Sequence, residues 1–315
     1  MVEIGSADHP IKVLFVPSVS AEEIIAGGEI LKGVLEESTG LVYEVSVPTS
    51  YAATISEMCA SPEDTVGFIP ATAYVIGNDE CGIEVAMKSL RFGFTEYWAE
   101  FIVPRDSEAT SLADLAGKSW AYPDVGSTSG YLVPNGMFLT DGIEPGETVE
   151  AGGHSAVVKA VYNGEADFGT TFFSPPLLPE GRWAIGDAPE PYLDLLDECA
   201  PNDEGKLYCG DYRVLDARSS LATEAPDVVQ VVGIVGITSE IPTDTMSFSP
   251  EFPADLKDVI TAAVIDYIGS DACAETICNE NFYDWTAAGP IADENFDGIR
   301  LLLEAQGITL ENIGE

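Results

Sequence analysis

The sequence predicts an α/β protein with two lobes, each built on a mainly parallel sheet flanked by helices. Short apolar runs alternate with helical segments along most of the chain, which is the pattern of parallel strands joined by crossover helices. A length of 315 residues is long for one hydrophobic core and suits two domains. The hydrophobic fraction of 46% indicates packed interiors rather than disorder.

The predicted strands are short runs of apolar or β-branched residues, and several of them end at proline or at a glycine turn. They lie at residues 11–17, 42–47, 66–70, 94–103, 119–122, 166–171 and 228–238. The first helix has a sequence signal for its start, because Ser20 precedes Glu23 by three positions, as in a capping box. Helices are predicted at residues 21–37, 52–58, 111–118, 156–163, 253–268 and 293–306.

The order of these elements takes the chain out of one lobe and back into it. A crossing near Pro104 precedes a new set of strands, and the strand at residues 228–238 returns the chain. Lobe 1 is therefore assigned to residues 10–104 and 239–315, and lobe 2 to residues 105–238. Two crossings predict a cleft between the lobes with the ligand in it.

The charge balance excludes some classes of partner. Lysine and arginine total 13 against 54 aspartate and glutamate residues, so the net charge is 13 − 54 = −41. Nucleic acids and anionic membrane surfaces are recognised by basic patches, so neither is expected as a partner. The sequence has no run of about 20 apolar residues, and we predict no membrane span.

The six cysteines fall into couples that are close in the sequence. Disulfides in an oxidising compartment are the preferred interpretation, although several connectivities stay formally open. Zinc is disfavoured because no Cys-x-x-Cys spacing and no nearby histidine accompanies a couple, and no cofactor is expected. Residues 174–220 are predicted to be a long surface excursion stapled by one couple. The couples are Cys59 with Cys81, Cys199 with Cys209, and Cys273 with Cys278.

The most informative segment is the run Ser127, Thr128 and Ser129, here called the hydroxyl turn, which follows a strand and a glycine and opens a helix. A helix N-terminus has unpaired N–H groups and a partial positive charge, so three hydroxyls there suit a small oxyanion. One serine or threonine is enough for a helix cap, so capping alone remains an alternative. A nucleophile elbow would need serine at the centre, where this chain has Thr128, and a nucleotide-binding loop would need a lysine.

Further motifs in the same order make the chain resemble the phosphate, phosphite and phosphonate substrate-binding proteins of ABC transporters. Besides the hydroxyl turn followed by Gly130, the matching segments are Ser50-Tyr51, residues 67–74, Tyr97, Gly153-His154, residues 164–168 and Ile241-Pro242-Thr243-Asp244. The resemblance implies a type II periplasmic-binding fold and capture of a small phosphorus oxyanion by lobe closure. It also implies a membrane permease as partner and a periplasmic or extracellular location, with a native leader or lipid anchor left open. The acidic composition motivates the separate expectation of a monomer.

The resemblance also implies the site residues. Ser127, Thr128 and Ser129 would hold the oxyanion head, with Tyr51, Tyr97 and His154 as further ligand-binding residues. Asp244 would face the rest of the ligand or a protonated oxygen. The chain departs from the pattern at residues 170–176, where some family members have an acidic residue that meets a ligand amine. This departure argues against an aminoalkyl phosphonate and favours phosphite or methylphosphonate.

Each of these residues also has a purely structural interpretation. Tyr51 and Tyr97 are suitable core aromatics, His154 would merely begin a helix, and Asp244 would be a turn residue after proline. The protein is predicted not to be an enzyme. The alternatives are a serine-type hydrolase that uses Ser127 or Ser129 with His154, and a sensory anion-binding protein.

Overall fold

The computed structural model describes residues 3–279 and 282–313. Its strands are β1 (Ile11–Phe15), β2 (Tyr43–Ser46), β3 (Thr65–Ile69), β4 (Glu84–Leu90), β5 (Glu96–Pro104), β6 (Trp120–Tyr122), β7 (Thr148–Glu150), β8 (Phe168–Phe173), β9 (Cys199–Pro201), β10 (Leu207–Cys209), β11 (Tyr212–Arg213), β12 (Val232–Ile237), β13 (Ile241–Pro242), β14 (Thr245–Phe248) and β15 (Ala287–Gly289). Its α-helices are α1 (Ala21–Thr39), α2 (Tyr51–Ala60), α3 (Ala71–Cys81), α4 (Val133–Asp141), α5 (His154–Tyr162), α6 (Val228–Val231), α7 (Ala254–Ile268) and α8 (Asp297–Gln306). The predicted α/β class is confirmed.

The chain forms two compact units. The first contains the residues up to Glu96, the short segment Gly126–Thr128 and the residues from Pro242 onward. The second contains Tyr97–Val125 and Ser129–Ile241. Strand β5 belongs to the second unit from Tyr97 on because it pairs there with β8 and β12. The boundaries at residues 104 and 238 drawn from the sequence therefore fall at the end of β5 and just after β12.

The sheet of the first unit has the strand order β15-β4-β14-β3-β1-β2. Strand β1 runs parallel to β2 and to β3, as the sequence predicts. Strands β14, β4 and β15 are antiparallel to their neighbours, so the parallel arrangement covers only one side of the sheet. We use "carboxyl edge" for the edge at which β1, β2 and β3 end.

The sheet of the second unit has the order β12-β5-β8-β6-β7. Strand β6 is parallel to β7 and β8, whereas β5 is antiparallel to β8 and β12. Both sheets are thus mixed, with the parallel part formed by the strands that follow one another through helices. The end of β6 and β7 is the carboxyl edge of this second sheet.

The starts of α1 and α2 in the first unit are fixed by local side chains. The Ser20 hydroxyl accepts the N–H of Glu23 at 3.3 Å, which confirms the predicted helix start at Ser20. The Glu23 carboxylate accepts the Ser20 hydroxyl at 2.7 Å rather than the Ser20 backbone N–H that a full capping box requires. The Ser50 hydroxyl accepts the N–H of Ala53 at 3.1 Å and caps α2. Helix α1 ends at Gly40, which adopts a left-handed conformation with φ of 72°.

The prediction of a surface excursion at residues 174–220 is only partly right, because exposed stretches such as residues 184–188 alternate with buried ones. The segment contributes buried side chains to a hydrophobic core that also contains Val157 and Val161 of α5. Its acidic residues suggested exposure, but Glu190 and Asp216 are buried because both accept hydrogen bonds from the fully buried Arg218. Paired charges of this kind are the usual way in which acidic residues enter a core.

The strand predicted at residues 228–238 is also corrected. Its first four residues form α6, and only Val232–Ile237 pair as β12. Apolar β-branched residues are compatible with a short buried helix as well as with a strand, and periodicity cannot separate the two.

The cysteine couples form the predicted disulfides. The bonds are Cys59–Cys81, Cys199–Cys209 and Cys273–Cys278. Each disulfide lies within one unit. Among the described residues, no helix is both long and apolar enough to cross a membrane.

Candidate functional site

Helices α2 and α3 begin at the carboxyl edge of the first unit, where β2 and β3 end. Tyr51 is the first residue of α2 and is only 2% exposed, so the structure places it at this edge within packed surroundings. The two helix starts direct backbone N–H groups toward the edge and give it a positive potential.

Thr128 lies against the start of α3. The residue before this helix is Pro70, which has no side-chain oxygen to cap it. The backbone N–H of Thr72 donates instead to Oγ1 of Thr128 at 3.3 Å, and the two threonine hydroxyl oxygens are 2.6 Å apart. Thr128 therefore supplies the capping oxygen that the local sequence lacks.

Either threonine can be the donor in this hydroxyl pair. The Thr72 hydroxyl has one proton, and its other neighbour, the carbonyl oxygen of Gly126, is 3.5 Å away. The much shorter distance to Thr128 makes Thr128 the better acceptor. When Thr72 donates in this pair, the proton of the Thr128 hydroxyl is available to a further acceptor, such as an oxyanion.

The other residues of the hydroxyl turn are buried as well. Ser127 is 1% exposed and Ser129 is 2% exposed. Ser127 and Thr128 belong to the first unit and Ser129 to the second. The predicted helix begins as one turn of π-helix, Thr128–Leu132, before α4. Such turns are rare and are found often at functional sites.

Two neighbouring contacts hold this π-helical turn in the second unit. The Thr170 hydroxyl donates to the carbonyl oxygen of Gly130 and accepts the indole N–H of Trp120 at 2.7 Å. The Tyr131 ring stacks on Trp120, with ring centroids 5.1 Å apart. In the sequence, Thr170 was noted only because residues 170–176 lack the acidic residue of some family members. In the structure, its hydroxyl positions the π-helical turn through Gly130.

His154 lies at the carboxyl edge of the second unit. It is the first residue of α5, is 6% exposed, and packs edge-on against Phe172 with ring centroids 5.2 Å apart. The residues before it run beside the end of β6, because the N–H groups of Ala151 and Gly152 donate to the carbonyl oxygens of Tyr122 and Pro123. His154 therefore lies beside the end of β6, from which the chain continues to Ser129.

Tyr97 and Asp244 were also predicted to bind the ligand. Tyr97 is 4% exposed and lies in β5 of the second unit. Asp244 lies in the first unit, immediately before β14, and its carboxylate accepts a hydrogen bond from Nη2 of Arg91. Sequence reasoning did not find Arg91, although a chain with only 13 cationic residues offers few to consider.

Tyr283 adjoins this ion pair. Nε of Arg91 donates to the backbone carbonyl of Tyr283 at 3.0 Å. Burial raises the pKa of the Tyr283 phenol, and the nearby Asp244 carboxylate raises it further. The protonated hydroxyl donates to the carbonyl oxygen of Val16 at 3.3 Å, next to the end of β1.

Metal binding has no support in the described residues. Within residues 3–279 and 282–313, no group of three or more His, Cys, Asp or Glu side chains could hold a metal ion. The polar groups at the two carboxyl edges are mainly hydroxyls, phenols, one imidazole and helix N-termini, which suit an anion better than a cation.

Two α/β units of mixed sheets, between which the chain crosses more than once, match the fold of periplasmic binding proteins. Residues 13–295 match the family model described as ABC transporter, phosphonate, periplasmic substrate-binding protein. The chain belongs to this family.

Two solved structures have the same fold. One is a binding protein component of an ABC phosphonate transporter from Pseudomonas aeruginosa, with 18% identity, a TM-score of 0.70, and coverage of 94% of this chain and 87% of that chain. Another is PhnD1 from Prochlorococcus marinus in complex with methylphosphonate, with 13% identity, a TM-score of 0.70, and coverage of 94% and 98%. At these identities the likeness concerns the fold.

A curated relative is the phosphate-import protein PhnD of Mycolicibacterium smegmatis. It is 28% identical over 172 residues, which are 50% of this chain. The match spans about half of the relative's length, 53%.

Proposed function

We propose that this protein is the extracytoplasmic solute-binding component of an ABC transporter and captures a small phosphorus oxyanion. The supporting observation is the hydroxyl turn, in which the Thr128 oxygen accepts the N–H of Thr72 and its hydroxyl keeps a proton that it can donate. Because the chain belongs to the phosphonate-binding family, we interpret this turn as the oxyanion-binding segment.

Ser127, Thr128 and Ser129 are proposed to donate to the oxygens of the anion. Tyr51, Tyr97 and His154 are proposed as further donors, because all three side chains are polar at one end and lie in packed parts of their units. Three or four charge-assisted hydrogen bonds, each contributing about 1.5–3 kcal/mol, give micromolar affinity or better after the cost of association.

The ligand is proposed to be a phosphonate, phosphite or phosphate. One relative carries methylphosphonate in its structure and another is named for phosphate import, so these two anions are the first candidates. A membrane permease is the proposed partner, the location is periplasmic or extracellular, and the protein acts as a monomer. No chemical conversion of the ligand is proposed.

The test is a thermal-shift panel with phosphate, phosphite, hypophosphite, methylphosphonate and sulfate, followed by calorimetric titration. A ligand at a hundred times its dissociation constant stabilises the folded state by about 2.7 kcal/mol, which is a visible shift in melting temperature. Sulfate serves as a matched tetrahedral control. The proposal fails if no phosphorus oxyanion shifts the melting temperature, or if sulfate shifts it as much as the best of them.

A further inference from the structure

The antiparallel strands of the first unit bring Arg91 and Asp244 together. Strand β4 ends one residue before Arg91, and β14 begins one residue after Asp244. Thr245 pairs with both Lys88 and Ile69, so the ends of β4 and β3 lie beside the start of β14. The two charged residues consequently lie at the carboxyl edge that also holds Thr72 and Thr128.

A tight turn fixes the position of Arg91. The backbone groups of Arg91 and Phe94 exchange two hydrogen bonds, of 3.0 and 2.9 Å. Between them, Phe92 and Gly93 have φ of 51° and 79°, as in a type I′ turn. A phenylalanine in this region of φ is uncommon, and it is retained here with its N–H donating to the Thr286 hydroxyl at 2.7 Å. The backbone is therefore strained at Phe92, the residue that follows Arg91.

The ion pair is shielded from water. The Arg91 side chain is 11% exposed and the Asp244 side chain is 15% exposed. Arg91 is held from a second side by the Tyr283 carbonyl. Because the charges are mutually neutralised at short range, Asp244 adds little net negative potential to the edge, although the chain as a whole carries −41.

We propose that the Arg91–Asp244 ion pair sets the ligand charge that the protein accepts. Arg91 already pairs with the Asp244 carboxylate, which would otherwise be able to bind the ammonium group of a ligand. The protein therefore takes phosphorus oxyanions that lack a cationic tail and discriminates against aminoalkyl phosphonates. This inference rests on the proposed function and concerns the specificity of the same site.

The central experiment compares methylphosphonate with 2-aminoethylphosphonate by calorimetric titration of the full chain. The wild type is expected to bind methylphosphonate more tightly. Arg91→Gln leaves Asp244 without its cation, and the affinity ratio is expected to move toward 2-aminoethylphosphonate by about tenfold or more. Arg300→Gln removes a cation from α8 of the same unit, where it pairs with Asp293 and Asp297, and should leave the ratio unchanged.

Asp244→Asn provides a second readout that does not depend on the folding of Arg91→Gln. It keeps the guanidinium and removes the carboxylate, so methylphosphonate should bind about threefold or more tightly than in the wild type. A wild type that binds methylphosphonate, together with an unchanged ratio in Arg91→Gln or weaker methylphosphonate binding in Asp244→Asn, overturns the inference alone. A wild type that binds no phosphorus oxyanion overturns the proposed function and the inference with it.

Discussion

The hydroxyl oxygens of Thr72 and Thr128 lie 2.6 Å apart in the first unit. Thr128 accepts the N–H of Thr72 at the start of α3, and its hydroxyl keeps a proton that it can donate. The capping and ligand-binding interpretations of the hydroxyl turn are thus compatible, because a threonine hydroxyl has one donor and two acceptor positions. The two roles predict different measurable losses when the hydroxyl is removed.

Replacing Thr128 by alanine is expected to lower the free energy of unfolding by about 1 kcal/mol, because α3 loses its capping oxygen. Methylphosphonate binding should weaken by a further 1.5–3 kcal/mol, about ten- to hundredfold. Calorimetric titration and urea unfolding measure the two effects. Thr128→Ser keeps the hydroxyl and should retain most of the stability and most of the affinity. As a control, Thr140→Ala removes an exposed threonine hydroxyl from α4. Lowered stability with unchanged affinity would show that Thr128 only caps α3.

A second prediction concerns Glu100, which is fully buried on β5 and accepts the Thr171 hydroxyl at 2.7 Å. Burial raises its carboxyl pKa well above the ordinary value of 4.5, and the nearby Asp216 carboxylate adds to this, against the lowering effect of Arg218. The folded state therefore binds a proton that the unfolded state has released once the pH exceeds the ordinary pKa. The contribution of Glu100 to stability is consequently lost as the pH rises from about 4.5 toward the raised pKa.

Glu100→Gln is accordingly expected to raise the free energy of unfolding at pH 7 relative to the wild type. The difference should shrink as the pH falls to 4.5 and below, where the glutamate becomes protonated in the unfolded state as well. Urea unfolding between these pH values measures it, with the exposed Glu147→Gln as control. A stability difference that does not depend on pH would contradict the protonated state of Glu100.

The buried guanidinium of Arg218 supports a third prediction. It is 0% exposed and donates to Asp216, Glu190 and the Tyr192 hydroxyl. Arg218→Met leaves two acidic groups buried without this partner and should cost about 3–5 kcal/mol of stability. The exposed pair of Lys159 with Glu224 is the comparison, and Lys159→Met should cost less than about 1 kcal/mol. Equal losses in the two variants of a urea unfolding experiment would refute the argument.

Salt is expected to stabilise this protein. With a net charge of −41, the excess carboxylates repel one another in the compact folded state, and added ions screen that repulsion. The melting temperature should rise by several degrees between about 0.05 M and about 1 M NaCl, as the screening length falls to about 3 Å. Sucrose, which has no charge, separates screening from general solvent effects. A flat or falling melting temperature in NaCl would contradict this expectation.

The alternation from β1 to α3 was predictable because its signals are local. Pro17 and Pro70 closely follow the ends of two apolar strands, and Ser20 and Ser50 precede the helices that they cap. Strand β14 was missed because two of its four residues are polar. Thr245 and Ser247 are fully buried and hydrogen-bond to each other at 2.8 Å, so the sequence resembles a turn where the structure has a central strand.

The candidate site was only partly predictable for the same reason. The three hydroxyls of the hydroxyl turn are adjacent in the sequence and are typical of a helix start. The partners that define their environment are distant, since Thr72 is 56 residues from Thr128, and Arg91 is 153 residues from Asp244. Only the folded sheet shows that a cation neutralises this carboxylate.

The disulfides join cysteines that follow one another in the chain, with sequence separations of 22, 10 and 5 residues. The entropy lost in closing a loop grows with its length, so an unfolded chain forms such short-range bridges more readily than bridges between distant cysteines. The native pairing is therefore also the pairing that forms fastest when the unfolded, reduced chain is oxidised. We expect oxidative folding to reach the native bridges with little reshuffling, because each cysteine meets its correct partner first.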